Sequence, residues 1–521
     1  MRRPWLLLTI ALLSLAGCAA NPVTGKKELH IVSEGQEIQI GKQQYGPGRQ
    51  SQGGDYVTDT LPTQYVQQVG ARLAAVADRP LPYEFVVLNS SDLNAWALPG
   101  GKIAINRGLL TELSNEAELA AVLAHEIVHA AARHGAQQLE QGQLMQIGAA
   151  VASVAAGAYG GSDVGQMVGQ GAMLGAQLLQ AKYSRDDELE ADKYGMQYMK
   201  RVGYDLQAAV ALQELFLRKF ESGPAKDRAS SLFASHPPSA QRVADNKQTM
   251  MGLGGPGGDL GADRYQKAIA GLKKSVPAYA KADEAVALAR KGDFGAARSL
   301  VNEAIRLQPR ESRFHGLLGE LAMAAKDPRE ALRHFEKARQ LDPGYLKTIV
   351  QAGMVQYDLD NKAAAEPLLN QSMQLMPTAP AAYYLGRLNE DRGNTGEAVK
   401  LYKLAAGSQS QYGSEAMARL TRLDLAQNPQ TYLSIQPQVD KEGRVWLTVG
   451  NRTTLPIAGV TILVGVVDQA GRTVNGPDRV GTGRNAIPPR QSVNLRTSLG
   501  PFQNTDVLRY VKWQVESAQV Q

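Results

Sequence analysis

A proline that returns at a fixed interval is the feature of this sequence that most constrains its fold. Pro309, Pro343 and Pro377 are spaced 34 residues apart, within an alanine-rich stretch over 264–427 that favours helix. Small residues and turn formers keep the same register: Ala297, Ala331 and Ala365; Ala304 and Ala338; Asp293, Asp327 and Asn361. A period of this length predicts stacked helix pairs, because each pair can bury its apolar face only against its neighbours.

The pattern resembles tetratricopeptide repeats, about four of them if a degenerate last one is counted. Small residues stand where the two helices of a pair would cross, and the proline follows the second helix. A generic alanine-rich bundle is the alternative, but it would not bring four columns of residues into one register.

Outside the repeats, the residue composition of the chain changes twice more. These changes predict several domains in 521 residues. Residues 55–250 are mixed and mostly helical, with a lead-in over 18–54. The glycine-rich stretch 251–263 predicts a linker, and the runs RVWLTV and VTILVGVVD within 430–521 predict a small β-sandwich. The expected fold class is therefore multidomain: a mainly α domain with a small β edge, an α-helical repeat solenoid and a C-terminal β-sandwich.

The first residues have the layout of a secretory signal. Residues 1–17 contain two arginines, a short apolar run and small residues, and the run is too short to span a hydrocarbon core of about 30 Å. Leu-Ala-Gly-Cys over 15–18 resembles a bacterial lipoprotein box, in which Cys18 is acylated; an ordinary signal peptide with a chance cysteine is the alternative. Ala19 follows rather than aspartate, which by resemblance to Gram-negative lipoproteins predicts an outer-membrane anchor facing the periplasm.

Charge indicates little about function, whereas cysteine content is informative. The 56 basic and 50 acidic side chains leave a net charge of +6, which is too dilute to indicate nucleic-acid binding or a polybasic membrane patch. The chain contains a single cysteine, so neither an intrachain disulfide nor a cysteine metal site is expected.

The segment AAVLAHEIVHAAARHG contains the clearest candidates for metal-binding and catalytic residues. Its apolar periodicity predicts a helix, and a spacing of four puts His125 and His129 on one face, where two imidazoles can bind one zinc ion. Glu126 stands beside the first ligand and could take a proton from the attacking water, as in HExxH metalloproteases. Taken singly, each histidine could also be an ordinary surface or core side chain.

Catalytic zinc needs a third protein ligand. On an ideal helix His134 is turned about 140° from His129 and about 180° from His125, so we expect it to support the site rather than to bind metal. In YSRDDELEADKYG, Glu188 and Asp192 are four residues apart on a probable helix.

Glu188 could complete the site, and Asp192 could accept the N–H of a ligand imidazole and fix its tautomer. Such an acidic run is usually a solvated helix face, and Glu190 is also acidic. Spacing alone leaves that choice open.

The segments HEIVHAAARH and SRDDELEAD, preceded by NAWALPGGKIAINRGLL, resemble the family of zinc peptidases that contains the heat-shock protease HtpX and the CAAX prenyl protease. The resemblance covers about 55–245. It implies a zincin-like endopeptidase with one Zn²⁺ per chain and Glu188, rather than Glu190, as the third ligand. It also implies a strand before the metal helix whose backbone edge could pair with an extended substrate, at Asn94, Ala95, Trp96 and Ala97; a plain hairpin is the alternative.

Two further segments carry expectations, the first from the same resemblance and the second from its composition. SHPPSAQR supplies His236 and Arg242; His236 could stabilise the oxyanion or fill the open zinc position and silence the enzyme, and a helix-cap or packing role is the alternative. The segment 137–180 is rich in small residues and glutamine, which favours a helical excursion or lid over a membrane span.

The predicted function is a zinc-dependent endopeptidase that acts on periplasmic or outer-membrane proteins in envelope quality control or assembly. Relatives that join such a peptidase to repeats imply that the repeats dock an outer-membrane assembly partner or client. The main alternative is a repeat-based chaperone or scaffold with a latent or vestigial protease centre. An intramembrane prenyl-type protease is disfavoured, because the sequence offers no convincing span.

Overall fold

The computed structural model describes residues 18–141, 182–221 and 230–521. The chain divides into two units, Met1–Val355 and Gln356–Gln521. The predicted signal peptide and most of the predicted lid, residues 142–180, lie outside the described residues. Among the helices that are described, none combines the length and the apolar character that a membrane crossing requires.

The first unit is mainly helical. Its described helices are α1 (Glu34–Ser51), α2 (Leu61–Ala74), α3 (Arg107–Glu112), α4 (Glu116–Ala131), α5 (Arg185–Val202), α6 (Gln207–Glu221), α7 (Ser230–Ser235), α8 (Ala240–Gly252), α9 (Ala262–Ala268), α10 (Ala270–Arg290), α11 (Phe294–Leu307), α12 (Ser312–Ala324), α13 (Pro328–Leu341) and α14 (Leu346–Asp358), which runs on into the second unit. Its described strands are β1 (Cys18–Ala20), β2 (Lys27–Leu29), β3 (Glu84–Leu88), β4 (Ala95–Leu98) and β5 (Lys102–Asn106).

The predicted β edge is a three-stranded sheet in the order β3-β5-β4. β5 runs parallel to β3 and antiparallel to β4, and the β4–β5 turn contains Gly100 and Gly101 with φ of 76° and 82°. A Cβ at Gly100 would lie 2.7 Å from the Cα of Ile38, so both the backbone conformation and the approach of α1 require glycine.

Helix α4, which carries the HExxH residues, lies in the core of the first unit. Every residue in it except His125 is buried, as expected for a helix that is apolar on all faces. Asn115 caps its start by accepting a hydrogen bond from the backbone N–H of Glu118 at 2.9 Å. The helix ends at Ala131, and Arg133 then takes a left-handed conformation with φ of 66°.

The N-terminal arm is folded onto the end of α4. β1 pairs with β2 in antiparallel register, and the Asn21 amide donates to the carbonyl of Ala132 at 2.9 Å. Lys26 pairs with Glu190 on α5. The lead-in predicted over 18–54 therefore contacts both helices that carry the metal motifs.

The stretch predicted as a linker also contacts the helical core. The backbone N–H of Asp259 donates to the carbonyl of Gly203 at 2.9 Å, and that of Ala117 donates to Leu260 at 3.1 Å. Arg264, just beyond this stretch, donates to the buried carboxylate of Glu116. The glycines of 251–263 thus lie against the start of α4.

The helix pairs after α9 follow the predicted period. The columns of small residues, Ala297 with Ala331 and Ala304 with Ala338, are fully buried. Asp293 caps α11 and Asp327 caps α13, each accepting from a backbone N–H three residues on. The sequence pattern therefore predicted the helix crossings and the turns that precede these helices.

The second unit continues the helix pairs and then turns into strands. Its described helices are α15 (Lys362–Leu375), α16 (Ala379–Asp391), α17 (Thr395–Ala406), α18 (Gln411–Asp424) and α19 (Pro429–Tyr432). Its described strands are β6 (Leu433–Val439), β7 (Val445–Asn451), β8 (Ile457–Val467), β9 (Thr473–Gly481), β10 (Ser492–Arg496) and β11 (Val511–Val520).

The strands form two three-stranded antiparallel sheets, in the orders β10-β7-β6 and β11-β8-β9. Along β7, Val445, Leu447 and Val449 are fully buried and alternate with less buried residues. Ile462 and Val464 on β8 follow the same alternation. Each sheet has one core-facing side, and the predicted multidomain fold class is confirmed.

Candidate metal centre

The two histidines of α4 point their Nε2 atoms at the same place. These atoms are 3.0 Å apart, as expected for imidazoles one helical turn apart. The His129 side chain is fully buried, and that of His125 is 12% exposed. The site is therefore almost closed to solvent.

The remote nitrogen of each ring has its own partner. His125 Nδ1 lies 2.9 Å from Asp192 Oδ1, and His129 Nδ1 lies 2.8 Å from His134 Nδ1. A carboxylate can only accept here, so it fixes the His125 proton on Nδ1 and leaves the Nε2 lone pair free for a metal. Asp192 and His134 thus lie behind the two rings.

Helix α5 brings Glu188 to the same point. Its two carboxylate oxygens lie 3.4 Å from His129 Nε2 and 3.6 Å from His125 Nε2. This approach depends on Gly195, where an added Cβ would lie 3.2 Å from the backbone nitrogen of His125. Glu190 pairs with Lys26 and lies 3.7 Å from His134 Nε2, so the structure brings Glu188, and not Glu190, to the Nε2 atoms of His125 and His129.

His236 is the fourth member of the cluster. Its Nδ1 lies 2.8 Å from Glu188 Oε1 and 3.3 Å from His125 Nε2, although it lies more than one hundred residues from α4 in sequence. One donor atom from each of His125, His129, Glu188 and His236 falls within 4.8 Å of all the others.

Arg242 bridges the two carboxylates of α5. Its Nε and Nη2 each lie 2.8 Å from an oxygen of Asp192, and its Nη1 lies 2.6 Å from Glu188 Oε2. Such a two-pronged contact fixes carboxylate orientation as well as charge. Gln213 adds a donor to Asp192 at 3.3 Å.

The charges of the cluster stabilise one another. Burial alone would raise the pKa of Glu188, but His236, Arg242 and His125 together hold it well below its ordinary value. Burial also opposes the charge on Asp192, and Arg242 and His125 lower its pKa in spite of it. Burial lowers the pKa of His129 well below its ordinary value, which favours the neutral imidazole that binds metal.

Glu126 lies beside the cluster without being part of it. It is 2% exposed, and its Oε1 lies 3.6 Å from His236 Nε2. Its Oε2 has no hydrogen-bond partner among the described residues. Burial raises the pKa of this carboxyl, as expected for a group that both accepts and returns protons.

The donor set fits zinc. Tetrahedral nitrogen and oxygen ligands about 2.0–2.1 Å from zinc lie about 3.3 Å apart, and the two α4 histidines and Glu188 are separated by 3.0–3.6 Å. A second sign is that the buried His236 Nε2 and Glu126 Oε2 lack partners within the described chain, because buried polar atoms are normally satisfied.

Tyr183 is a neighbour that the sequence analysis missed. Its ring stacks on His129 with centroids 3.7 Å apart, and it lies 5.3 Å from the His236 ring. Burial raises its pKa well above the usual value. Its position directly before Ser184, the N-cap of α5, was the one available signal.

The predicted substrate strand lies at the edge of its sheet. Asn94, Ala95, Trp96 and Ala97 are all buried, and Trp96 packs edge-on against Tyr45. Ala95 also lines a mainly apolar pocket beside the cluster, whose other lining residues include Val122, Met196, Leu212, Phe216 and Leu232. A role of this strand in substrate binding stays a prediction.

Comparisons with known proteins identify the families that this chain resembles. The model of peptidase family M48 matches residues 60–249, and two models of tetratricopeptide repeats match 282–345 and 322–385. The match to family M48 spans α4, α5 and His236, and thus the whole cluster.

Three relatives are similar to parts of this chain. The beta-barrel assembly-enhancing protease of Escherichia coli (strain K12) is 31% identical over 230 residues, 43% of this chain and 46% of that protein. Its namesake in Yersinia pestis is 28% identical over 361 residues, 63% of this chain and 72% of that protein. Metalloprotease YcaL of Escherichia coli (strain K12) is 31% identical over 182 residues, 33% of this chain and 67% of that protein. The chain thus spans about half the length of the first of these relatives.

Proposed function

This chain belongs to peptidase family M48, and on that premise we propose that it is a zinc-dependent endopeptidase that cleaves envelope proteins. The observation that carries the proposal is the convergence of His125, His129 and Glu188 at one point, with Glu126 next to them and partnerless at one oxygen. Two imidazoles and a carboxylate leave the fourth position of a tetrahedral zinc site for water or substrate.

In this mechanism His125, His129 and Glu188 would hold the ion. When bound, it supplies Lewis-acid polarisation of the scissile carbonyl and a lowered pKa of water. Glu126 takes the proton from the attacking water and later passes it to the leaving amine. Its raised pKa suits both directions of transfer, because a base works best when its pKa is near the working pH.

Asp192 and Arg242 keep the ligands in place. Asp192 holds His125 in the tautomer that presents Nε2, and Arg242 fixes both Asp192 and Glu188. Because none of these groups must reorient during the reaction, the arrangement supports a preorganised site.

His236 is proposed to gate the centre. The sequence left two roles for it, oxyanion stabilisation and occupation of the open metal position. Its Nδ1 lies among the donor atoms rather than outside them, which favours occupation of the open position. Substrate binding would then require His236 to move, and once displaced it could reach the oxyanion.

The names of the relatives support protein substrates, and the repeats support a docking role. We propose that the repeats bind an outer-membrane assembly partner or client, and that acylation of Cys18 anchors the chain to the outer membrane on its periplasmic side. Asn21 ties the arm that follows Cys18 to the end of α4, so the proposed anchor would hold the metal centre close to the bilayer.

A second candidate is a chaperone or scaffold with a latent protease centre. One observation favours it: His236 lies among the potential ligand atoms, where it could occupy the fourth metal position and block substrate. The intact set of ligands speaks against a vestigial centre.

Cleavage of an unfolded outer-membrane protein by the full chain, followed on gels, tests the proposal. Glu126→Gln should retain zinc but lose cleavage, whereas Glu112→Gln on α3 makes the same change away from the cluster and should cleave normally. If Glu126→Gln cleaves as fast as the unchanged chain, the mechanism is wrong. If the Glu126→Gln variant supports envelope function fully in cells, proteolysis is not the main role of the protein, and the chaperone or scaffold hypothesis is favoured.

A further inference from the structure

A cavity of about 640 Å³ lies in the first unit, apart from the metal centre. Its walls are the loop after β3 (residues 90–92), the start of α3, and helices α10, α12 and α14. None of the four clustered metal-site residues lines it. The cavity is large enough for several residues of extended peptide, and no step of the proposed mechanism uses it.

Arg107, the first residue of α3, is a buried cation in the wall of this cavity. It is 4% exposed, and its guanidinium carbon lies 3.2 Å from the centre of the Tyr279 ring. Its Nε donates to Asn89 at 2.8 Å and its Nη2 to Ser91 at 2.7 Å. Within the described ranges, no carboxylate lies within 4.0 Å of it, so its partners are all uncharged.

A second guanidinium lies close by. Arg313 at the start of α12 lines the same cavity, and it likewise has no carboxylate within 4.0 Å in the part of the chain that the structure describes. Burial lowers the pKa of Arg107 and Tyr279 opposes that shift. The positive charge of Arg313 lowers the pKa of Arg107 further. Two neighbouring cations that face a cavity without a paired anion form a site for a negative group.

The buried carboxylate of Glu311, two residues before Arg313, already has hydrogen-bond partners. Glu311 is fully buried and accepts from Thr58 at 2.8 Å, from Asn89 at 3.0 Å, and from the Tyr279 hydroxyl. It also accepts from the backbone N–H of Arg313 at 3.0 Å. Both its oxygens are thus used, and it cannot swing into the cavity to neutralise the arginines.

The rest of the wall suits a peptide better than a free ion. Ala282, Val286 and Leu317 supply apolar surface. The acidic residues are peripheral: Asp92 and Asp283 are exposed, where solvent screens them, and Glu320 pairs with Lys347 at 2.5 Å.

From these observations we infer that the cavity binds the C-terminal end of a polypeptide, with the terminal carboxylate on Arg107 and Arg313 and the last apolar side chains against α10 and α12. The planar guanidinium of Arg313 can match a carboxylate with two parallel hydrogen bonds. Arg107, whose Nε and Nη2 already donate to Asn89 and Ser91, contributes mainly its charge. The site would select clients by their end rather than by an internal sequence. It does not depend on the metal centre.

Fluorescence anisotropy with a labelled ten-residue peptide of Ala, Ser and Leu that ends in Leu tests this inference. The protein is the full chain with Glu126→Gln. The free-acid peptide should bind at least about tenfold more tightly than the same peptide with an amidated end, because a charge-assisted hydrogen bond is lost. Chelation of zinc should leave this binding unchanged, which separates it from the proposed peptidase function.

Arg313→Gln should reduce the affinity for the free acid at least about tenfold. Arg310→Gln removes the same charge from an exposed position outside the cavity and should have no effect. Arg107→Gln serves as a further variant if its melting temperature shows that it folds. Equal binding of acid and amide, or an unchanged affinity in Arg313→Gln, would overturn the inference.

Two other results would also overturn it. An amidated peptide with one internal Glu that binds as tightly as the free acid would show that any carboxylate suffices. Inorganic phosphate that displaces the peptide at equal concentration would show a small-anion site rather than a peptide site.

Discussion

Replacing Glu116 with glutamine tests how the start of the metal-site helix is held. The carboxylate is fully buried and accepts from Arg264 at 2.5 and 2.8 Å and from Tyr204 at 2.5 Å. Tyr65 and Arg72 also donate to it. Glutamine keeps the shape but turns one acceptor into a donor that faces these groups.

The magnitude follows from the pKa of this carboxyl. Burial alone would raise it, but the hydrogen bonds from Arg264, Tyr204, Tyr65 and Arg72 lower the pKa of Glu116 from 4.5 to about 2. At about 1.4 kcal/mol per pH unit, this difference corresponds to about 3 kcal/mol. Because the folded-state pKa lies below the unfolded one, this stability is fully present above pH 4.5 and is lost as the pH falls toward 2.

Urea unfolding at pH 7 and pH 3 provides the assay. With Trp446 and Trp513 replaced by Phe in a chain expressed from residue 19, the buried Trp96 reports on the first unit. Glu116→Gln should lower the free energy of unfolding by about 3 kcal/mol at pH 7 and by less than half of that at pH 3. Glu112→Gln should change neither value by more than about 0.5 kcal/mol. A difference that is absent at pH 7, or the same at both pH values, would refute the reasoning.

Three further predictions concern the site and its anchor. Asp192→Asn should weaken zinc binding about 10–100-fold without unfolding the chain, as measured by competition with a fluorescent chelator; unchanged affinity would contradict its role behind His125. Gly195→Ala should cost about 1–3 kcal/mol and reduce zinc occupancy, because the new Cβ would press on the α4 backbone at 3.2 Å. Thermal melts of both variants measure this effect. The control Gly252→Ala, where nothing lies within 4 Å of an added Cβ, should be neutral or slightly stabilising. Cys18→Ser should release the chain from membranes into the soluble fraction; continued membrane association would contradict the lipid anchor.

The periodic parts of this chain could be predicted from sequence because they depend on local rules. The 34-residue register placed Ala297 and Ala331 at helix crossings and Asp293 and Asp327 in the turns between helices. Helical spacing put His125 and His129 on one face. Such patterns need no knowledge of distant contacts.

The parts that depend on tertiary packing could not be predicted in this way. The exclusion of His134 assumed that its helix continues, but α4 ends at Ala131 and the chain turns at Arg133. His134 still lies behind His129 rather than in the cluster, for a different reason than helical angle. Tyr183 carries no spacing signal, because only the packing of α5 on α4 brings it to His129.

Spacing could not separate Glu188 from Glu190 either, and the family resemblance was needed to choose. In the structure the choice follows from which face of α5 meets α4. Because Gly195 has no side chain, that face of α5 can approach the backbone of His125 closely. Glu190 lies on another side of the helix and pairs with Lys26.

The zinc content of two matched variants tests the central claim most directly. After dialysis against a weak chelator, the unchanged chain and Glu190→Gln should each keep one zinc ion per chain by elemental analysis, and Glu188→Gln should lose most of it. Zinc retained in full by Glu188→Gln, or lost instead from Glu190→Gln, would contradict the site of His125, His129 and Glu188.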